Sequence, residues 1–222
     1  MDIDCQPSPY LSSLMYVVRE GTHAFVVDPF VCKASFLQGL SIDFVLLTHE
    51  HFDHISGVTF FQEKYACPVL CAKQCADRLG DPRKNMSAYF DVFTSIPEFE
   101  AYSRDAEHVE PFVCKADSTL LEGKPLAWQG HEIALLYTPG HTVGSACYLV
   151  DDAFLFTGDT LFADKATETR FPSGRAKALS ETAKKLVRLR PEIYAYPGHF
   201  ERFLLGERSQ YLDQLSKGQK YA

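Results

Sequence analysis

Metal-binding side chains are concentrated in a short stretch between Thr48 and His54. Three imidazoles and one carboxylate lie within six residues of one another, and they belong to His49, His51, Asp53 and His54. Neutral imidazole and carboxylate are typical ligands of Zn²⁺ and of neighbouring transition metals. Histidine is rare, with 8 in the 222 residues. This spacing therefore indicates a metal site rather than a polar loop that is rich in histidine by chance.

Three further candidate ligands each follow a glycine at the end of a predicted strand. They are His141, Asp159 and His199, preceded by Gly140, Gly158 and Gly198. A glycine at this position lets the backbone turn sharply where the strand ends. Any one of these pairs would be weak evidence by itself, because Gly-Asp is also common in ordinary turns. The recurrence of one strand-glycine-ligand pattern favours a shared site.

Taken in order along the chain, these motifs resemble the metallo-β-lactamase superfamily, and most closely its glyoxalase II-like hydrolases. The motifs are His-x-His-x-Asp-His, Pro-Gly-His-Thr, Thr-Gly-Asp-Thr and Pro-Gly-His, and with the strand end at Asp28 they extend to His199. The resemblance implies that one metal is held by His49, His51 and His141, and the second by Asp53, His54 and His199. It further implies that Asp159 bridges the two metals and that Asp28 orients a ligating imidazole.

The resemblance also implies a reaction. Two divalent metal ions, with Zn²⁺ expected first and Fe²⁺ or Mn²⁺ as alternatives, would share a hydroxide that attacks a small thioester or ester, as in hydroxyacylglutathione hydrolases. Asp53 or Asp159 would pass a proton to the leaving group. A different reaction stays open, because persulfide dioxygenases of the same fold share most of these motifs but use a single iron. A protein that only binds a ligand is disfavoured, since all seven ligand positions are retained.

The residues after Asp159 leave the substrate open. Residues 163–165 and 169–174 differ from the sequence that usually follows this position in glyoxalase II. The basic side chains in this region could contact an anionic part of a substrate, although solvation at the surface is the simpler expectation. These side chains are Lys165, Arg170 and Arg175.

The remaining candidate ligands have simpler explanations. Three histidines lie in turns or in an irregular segment, where solvation is expected, and they are His23, His108 and His131. Three cysteines are evenly spaced, at Cys67, Cys71 and Cys75. A metal clip at this spacing would require a helix, yet the intervening residues predict a strand. The sequence therefore predicts buried thiols.

The elements that must position the candidate ligands alternate between strands and helices. The first part predicts strands at 14–18, 24–27, 42–47 and 68–71, with helices at 57–65 and 72–79. The second part predicts hairpins within 126–137 and 146–156, a helix at 176–189 with Leu179, Ala183, Leu186 and Val187 on its apolar face, a strand at 193–196 and a short terminal helix. Two β-rich halves, each ending in helices, predict an α/β fold with two sheets face to face.

The resemblance specifies this architecture as the four-layer αββα sandwich of the metallo-β-lactamase type. The length fits a single domain over residues 1–222. Residues from about 80 to 116 contain aromatic side chains without a regular period. We expect this segment to be an insertion or a lid over the site.

Composition excludes several other classes of protein. The net charge of −7 and the lack of clustered basic residues disfavour a nucleic-acid partner. No segment approaches the roughly 20 apolar residues that span a bilayer, so no membrane partner is expected. The acidic start of the chain has no apolar run behind it, which predicts no secretory signal. The 7 cysteines lack a disulfide framework and predict reduced thiols in the cytoplasm. The expected partner is a small-molecule substrate.

Overall fold

The computed structural model describes residues 1–95 and 108–219, and the chain divides into two compact units. The first unit comprises Met1–Cys71 and Cys75–Thr119, and the second comprises Ala72–Gln74 and Leu120–Ala222. A mixed sheet of six strands belongs to each half of the chain. Within the described ranges, none of the helices combines the length and apolar character needed to cross a membrane.

The first sheet has the strand order β1-β2-β3-β4-β5-β6. Its strands are β1 (Asp2–Pro7), β2 (Leu14–Glu20), β3 (His23–Val27), β4 (Ser41–Leu47), β5 (Val69–Ala72) and β6 (Ser118–Leu120). The first three strands are antiparallel, whereas β3, β4 and β5 run parallel to one another. Parallel strands end at the same edge of a sheet, so the residues after β3 and after β4 are brought side by side.

The described residues of this first part of the chain form four short α-helices. They are α1 (Phe52–Ile55), α2 (Val58–Tyr65), α3 (Lys73–Leu79) and α4 (Phe90–Thr94), with 3₁₀ turns at Ala34–Leu37 and Ser87–Tyr89. Gly57 separates α1 from α2 and lies against the backbone of Phe30, where an added Cβ would come within 2.7 Å. Only glycine allows this close approach, which holds the start of α2 against the segment that follows β3.

The second sheet has the strand order β12-β11-β10-β9-β8-β7. Its strands are β7 (Leu126–Trp128), β8 (His131–Tyr137), β9 (Ala146–Val150), β10 (Phe154–Gly158), β11 (Tyr194–Pro197) and β12 (Phe203–Leu204). A 3₁₀ turn at Leu205–Arg208 and two helices, α5 (Ala176–Leu186) and α6 (Ser209–Ser216), complete this unit. The helices pack on the sheet through a buried cluster that includes Leu155, Ala183, Leu186 and Leu212.

The predicted α/β class with two β-rich halves is confirmed, and each predicted strand and helix outside residues 80–116 has a counterpart in the structure. Three strands were not predicted: β1, β6 and β12. They are short or, in β1, carry polar side chains that are partly exposed, so they lack an apolar pattern. The predicted end of α5 was also wrong, because the helix stops at Leu186 and Val187 is exposed.

The segment predicted as an insertion or lid is less irregular than its sequence suggests. Its described residues form the 3₁₀ turn at Ser87–Tyr89 and helix α4, while residues 96–107 lie outside the described part of the chain. Asn85 is fully buried and donates to the carbonyl oxygens of Leu79 and Phe112 at 3.2 and 2.9 Å. These bonds tie the start and end of the segment together. Its role as a lid stays a prediction.

Candidate metal centre

The first group of candidate ligands lies between the end of β4 and the first turn of α1. His49 and His51 belong to the connection, and Asp53 and His54 belong to α1. His51 precedes a helical turn, and its carbonyl accepts a hydrogen bond from the His54 amide. All four residues are nearly inaccessible, with exposed fractions between 0% and 7%.

Asp28 organises this group from the end of β3. Its two carboxylate oxygens accept hydrogen bonds from the Thr48 amide at 2.7 Å and from the Thr48 hydroxyl at 2.6 Å. The second oxygen also lies 3.0 Å from Nδ1 of His54. Nδ1 of His49 lies 3.1 Å from the Thr48 hydroxyl. With Nδ1 engaged in both rings, Nε2 is the nitrogen that a metal would take.

The spacing of the donor atoms fits metal coordination. Two ligands of a tetrahedral zinc ion lie roughly 3.4 Å apart, because each lies about 2.0–2.1 Å from the metal. Nε2 of His54 and Oδ2 of Asp53 are 3.3 Å apart. The ring of His49 is centred 4.7 Å from that of His51 and 4.3 Å from that of His54. One cation could therefore contact neighbouring donors of this group.

A buried ion pair lies inside the same motif. Glu50 stands between His49 and His51, is fully buried, and accepts a hydrogen bond from Nε of Arg78 at 2.5 Å. Arg78 belongs to α3 and also donates to the carbonyl oxygen of Lys84 at 3.4 Å. A buried carboxylate is costly unless it is paired. The sequence analysis did not identify this pair, since nothing in the local pattern links Arg78 to Glu50.

The second group of candidate ligands comes from three strand ends of the second sheet. His141 follows β8, Asp159 follows β10 and His199 follows β11. These three strands run in the same direction, because β9 is antiparallel to both β8 and β10 while β11 is parallel to β10. Oδ2 of Asp159 lies 3.6 Å from Nε2 of His141 and 3.6 Å from Nε2 of His199. One carboxylate oxygen is thus shared between two imidazoles, close to the expected ligand separation.

Backbone groups fix the orientation of His141. Its Nδ1 lies 2.8 Å from the carbonyl oxygen of Glu168, so Nδ1 carries the proton and Nε2 is the nitrogen that a metal would take. The loop that contains Glu168 passes close to the ligand: an added Cβ at Gly174 would lie 2.5 Å from the Thr169 carbonyl oxygen and 2.9 Å from that of His141. The sequence analysis missed Glu168, since a backbone carbonyl leaves no signal in the residue type.

Gly140 has a second role in addition to the predicted sharp turn at the end of the strand. An added Cβ at Gly140 would lie 2.6 Å from Cβ of Leu179 in α5. The amide of Arg175, at the start of that helix, donates to the Gly140 carbonyl oxygen at 2.8 Å. Gly140 is therefore required mainly for the close packing of α5 against the chain that carries His141.

Aromatic rings flank the ligands of the second unit. Phe171 meets His141 edge to face, with ring centroids 5.9 Å apart. Phe162 and Phe200 lie beside His199, at centroid distances of 6.4 and 6.0 Å. The imidazoles of this unit therefore stand in a partly apolar environment.

The cysteines are poor candidates for ligands or nucleophiles. Cys67, Cys71 and Cys75 are buried, as predicted. A hydrogen bond with Cys71, together with burial, raises the pKa of the Cys75 thiol well above its usual value. Burial raises the pKa of Cys147 to about 11. The thiolate is the form that binds metals and attacks carbonyls, so the thiols of Cys75 and Cys147 are inert near neutral pH.

The three histidines expected in solvent instead pair with carboxylates. Nδ1 of His23 lies 3.0 Å from Asp43, Nδ1 of His108 lies 3.0 Å from Asp91, and Nδ1 of His131 lies 2.5 Å from Asp151. Their side chains nonetheless remain between 21% and 54% exposed, in agreement with the expectation of solvated histidines. None of the three belongs to a group of potential ligands in the described part of the chain.

The basic residues after Asp159 differ in their surroundings. Arg170 binds the carboxylate of Glu168 at 2.5 Å, and this hydrogen bonding lowers the pKa of Glu168. Nζ of Lys165 lies 5.9 Å from the centre of the Phe200 ring. Arg175 is exposed and precedes α5. Lys165 is therefore the basic residue associated with the aromatic side chains near His199.

The chain matches known proteins over most of its length. Residues 9–199 match the family model of the metallo-β-lactamase superfamily. A protein of Bacillus velezensis named "Probable polyketide biosynthesis zinc-dependent hydrolase BaeB" is 28% identical over 196 residues, which cover 85% of this chain and 73% of that protein. A hydroxyacylglutathione hydrolase of Photobacterium profundum is 29% identical over 181 residues, covering 80% of this chain and 57% of that protein. This chain therefore matches little more than half the length of the second relative.

A solved structure agrees with the fold. The crystal structure of BLEG-1 B3 metallo-beta-lactamase superimposes with a TM-score of 0.80 and 24% sequence identity, covering 97% of this chain and 100% of that chain. A likeness at this level of identity shows a shared fold.

Proposed function

The chain belongs to the metallo-β-lactamase superfamily, and from this premise we propose that it is a two-metal hydrolase of small thioesters or esters. Its superfamily is one of metal-dependent hydrolases, and the donor set described above suits divalent metal ions. The proposed metals are Zn²⁺, by analogy with the relative named as a zinc-dependent hydrolase. Fe²⁺ and Mn²⁺ are the alternatives, because imidazole and carboxylate also suit these ions.

The observation that carries the proposal is the position of Asp159. One of its oxygens stands 3.6 Å from Nε2 of both His141 and His199. A carboxylate in this position suits a bridge between two cations and would reduce their mutual repulsion. In the proposed site, His49, His51 and His141 would hold one metal, Asp53, His54 and His199 would hold the second, and the Asp159 carboxylate would serve both.

The protein's own groups would hold the reacting parts in place. When bound, the metals would supply an activated water and polarise the oxygen of the scissile carbonyl. Asp28 and the Glu168 carbonyl keep the rings of His54 and His141 oriented, so that Nε2 remains the donor atom in each. Asp53 or Asp159 would accept a proton from the attacking water and return it to the leaving group. No side-chain nucleophile is required.

One comparison supports a small acyl substrate, and one ring contact indicates which segment shapes its choice. A relative over most of this chain is named as a hydroxyacylglutathione hydrolase, which acts on a thioester. The Phe90 ring of α4 packs edge to face on Phe52, between His51 and Asp53, with centroids 5.8 Å apart. We propose on this basis that the described part of the segment from 80 to 116, which includes Phe90, lies near the metals and shapes the choice of substrate.

Metal analysis combined with a substrate panel tests this function. The full-length protein, purified without added metal, is analysed for bound metals and then assayed against thioesters, carboxylic esters and phosphoesters. We expect two equivalents of metal and hydrolysis of thioesters or esters. His51→Ala should lose metal and activity while remaining folded, whereas His131→Ala, in a histidine–carboxylate pair outside the proposed site, should keep both.

The same measurements distinguish hydrolysis from the competing reaction, which is the oxidation of a persulfide. One equivalent of iron, with oxygen consumed when a persulfide is added, would replace the hydrolase proposal with a persulfide dioxygenase. Normal turnover in His51→Ala would show that the assigned ligands do not form the reactive site.

A further inference from the structure

We propose that Phe200, together with Phe162, forms a recognition surface for an apolar acyl group next to the scissile carbonyl of the substrate. The inference rests on the proposed hydrolase function and narrows its substrate class. It concerns the surface formed by these two rings, called here the Phe200 surface. Both residues belong to the second unit, as does the ligand His199 beside them.

Phe200 combines exposure with an unfavourable backbone conformation. The residue is 41% exposed, although burial of a phenylalanine side chain is energetically favourable. Its φ is +68°, in the left-handed region that bulky residues rarely adopt. Strained residues persist where the surrounding structure imposes them, and they cluster at functional sites. Neither the exposure nor the strain is explained by core packing, so both point to a role in binding.

The Phe200 ring is held at a defined position beside the ligand. It meets Phe162 edge to face with centroids 5.6 Å apart, and Phe162 itself is buried. Both rings are neighbours of the His199 imidazole: the ring centroids of Phe200 and Phe162 lie 6.0 and 6.4 Å from the imidazole centroid. A rigid aromatic side chain in this position offers apolar contact area at a low entropic cost.

The distance to the ligand identifies which part of the substrate would touch this surface. A carbonyl that reacts at a metal held by His199 lies within a few ångströms of that imidazole. Groups bonded to that carbonyl can then contact rings centred about 6 Å from the same imidazole. An alkyl or aromatic acyl group would bury apolar area there, whereas a hydroxylated acyl group would lose hydration without gaining a hydrogen bond.

A pair of thioesters with the same leaving group tests this inference. S-hexanoylglutathione carries an apolar acyl group, and S-D-lactoylglutathione carries a hydroxylated one. The measured quantity is the ratio of kcat/KM for the first substrate to that for the second, using the metal-loaded full-length protein. We expect a ratio of about 10 or more, because each additional methylene in an apolar pocket is worth roughly 10-fold or more.

Variants of exposed residues show whether the Phe200 surface causes the preference. Phe200→Ser should reduce the ratio by roughly tenfold, and Phe200→Leu should retain most of it. Tyr194→Ser is the matched control, because Tyr194 is an equally exposed aromatic residue at the other end of β11 and should leave the ratio unchanged. Lys165→Gln removes the cation next to Phe200 and should also leave the ratio unchanged if apolar contact decides the preference.

The outcomes distinguish this inference from the proposed function. Hydrolysis of both thioesters with a ratio near or below one would overturn the inference and leave the hydrolase function standing. A high ratio that Phe200→Ser does not change would also overturn it, because the preference would then arise elsewhere. No hydrolysis of any thioester or ester by the metal-loaded protein would overturn the proposed function itself.

Discussion

The two groups of candidate ligands are positioned in different ways. In the first unit, four candidate ligands within six residues are almost fully buried, and two of them, His49 and His54, contact the side chains of Thr48 and Asp28. In the second unit, three ligands come from three different strands, and their side chains are between 3% and 15% exposed. There the positions depend on strand direction and on the backbone carbonyl of Glu168.

This difference has an energetic consequence. The first group concentrates buried charges, including the Glu50–Arg78 pair, so its geometry depends on polar groups that are costly to leave unpaired. The second group is supported mainly by the apolar core beneath its sheet. We therefore expect changes of charge to affect folding in the first group and to affect mainly metal binding and catalysis in the second.

The largest effect is expected from Asp159→Asn, which removes the shared charge and preserves the shape. The second metal should bind weakly, and turnover should fall by roughly 100-fold or more, because metals contribute several kcal/mol of transition-state stabilisation. The free energy of unfolding of the metal-free protein should change by less than about 1 kcal/mol. Metal stoichiometry, kinetics and denaturant unfolding measure these three quantities. If both metals and normal turnover survive, Asp159 is not a bridge.

An effect of similar size, but on folding rather than on turnover, is expected from Arg78→Met. Loss of the guanidinium leaves the carboxylate of Glu50 buried without its cation, which costs about 3–5 kcal/mol. The double variant Arg78→Met/Glu50→Gln removes both charges and should recover most of the lost stability. Urea unfolding of the metal-free proteins measures the free energies. Equal stability of the single and double variants would contradict the role of buried charge in the first group.

The smallest of the three effects is expected from Asp28→Asn. Asparagine tolerates the left-handed conformation of this residue, whose φ is +52°, but it cannot accept all three hydrogen bonds. Metal affinity should fall by about 10–100-fold, as for other groups that orient ligating histidines. Competition with a chelator measures the affinity. Asp43→Asn, in the pair with His23, is the matched control, and an equal loss there would assign the effect to general destabilisation.

The sequence alone was sufficient to identify candidate ligands where they are close together in the chain or directly follow a predicted strand. The run from His49 to His54 contains four candidate ligands, and the apolar residues of β4 before it predicted a buried strand that ends at the site. The strand-glycine-ligand pattern also identified His141, Asp159 and His199. Local spacing is informative here because a side chain at a strand end must project beyond the edge of the sheet.

Tertiary structure decided which groups support those ligands. The approach of Arg78 to Glu50 and of the Glu168 carbonyl to His141 joins parts of the chain that are distant in sequence. The exposed and strained position of Phe200 likewise depends on the packing around it. These arrangements follow from strand order and from close backbone contacts, which no local pattern of residue types encodes.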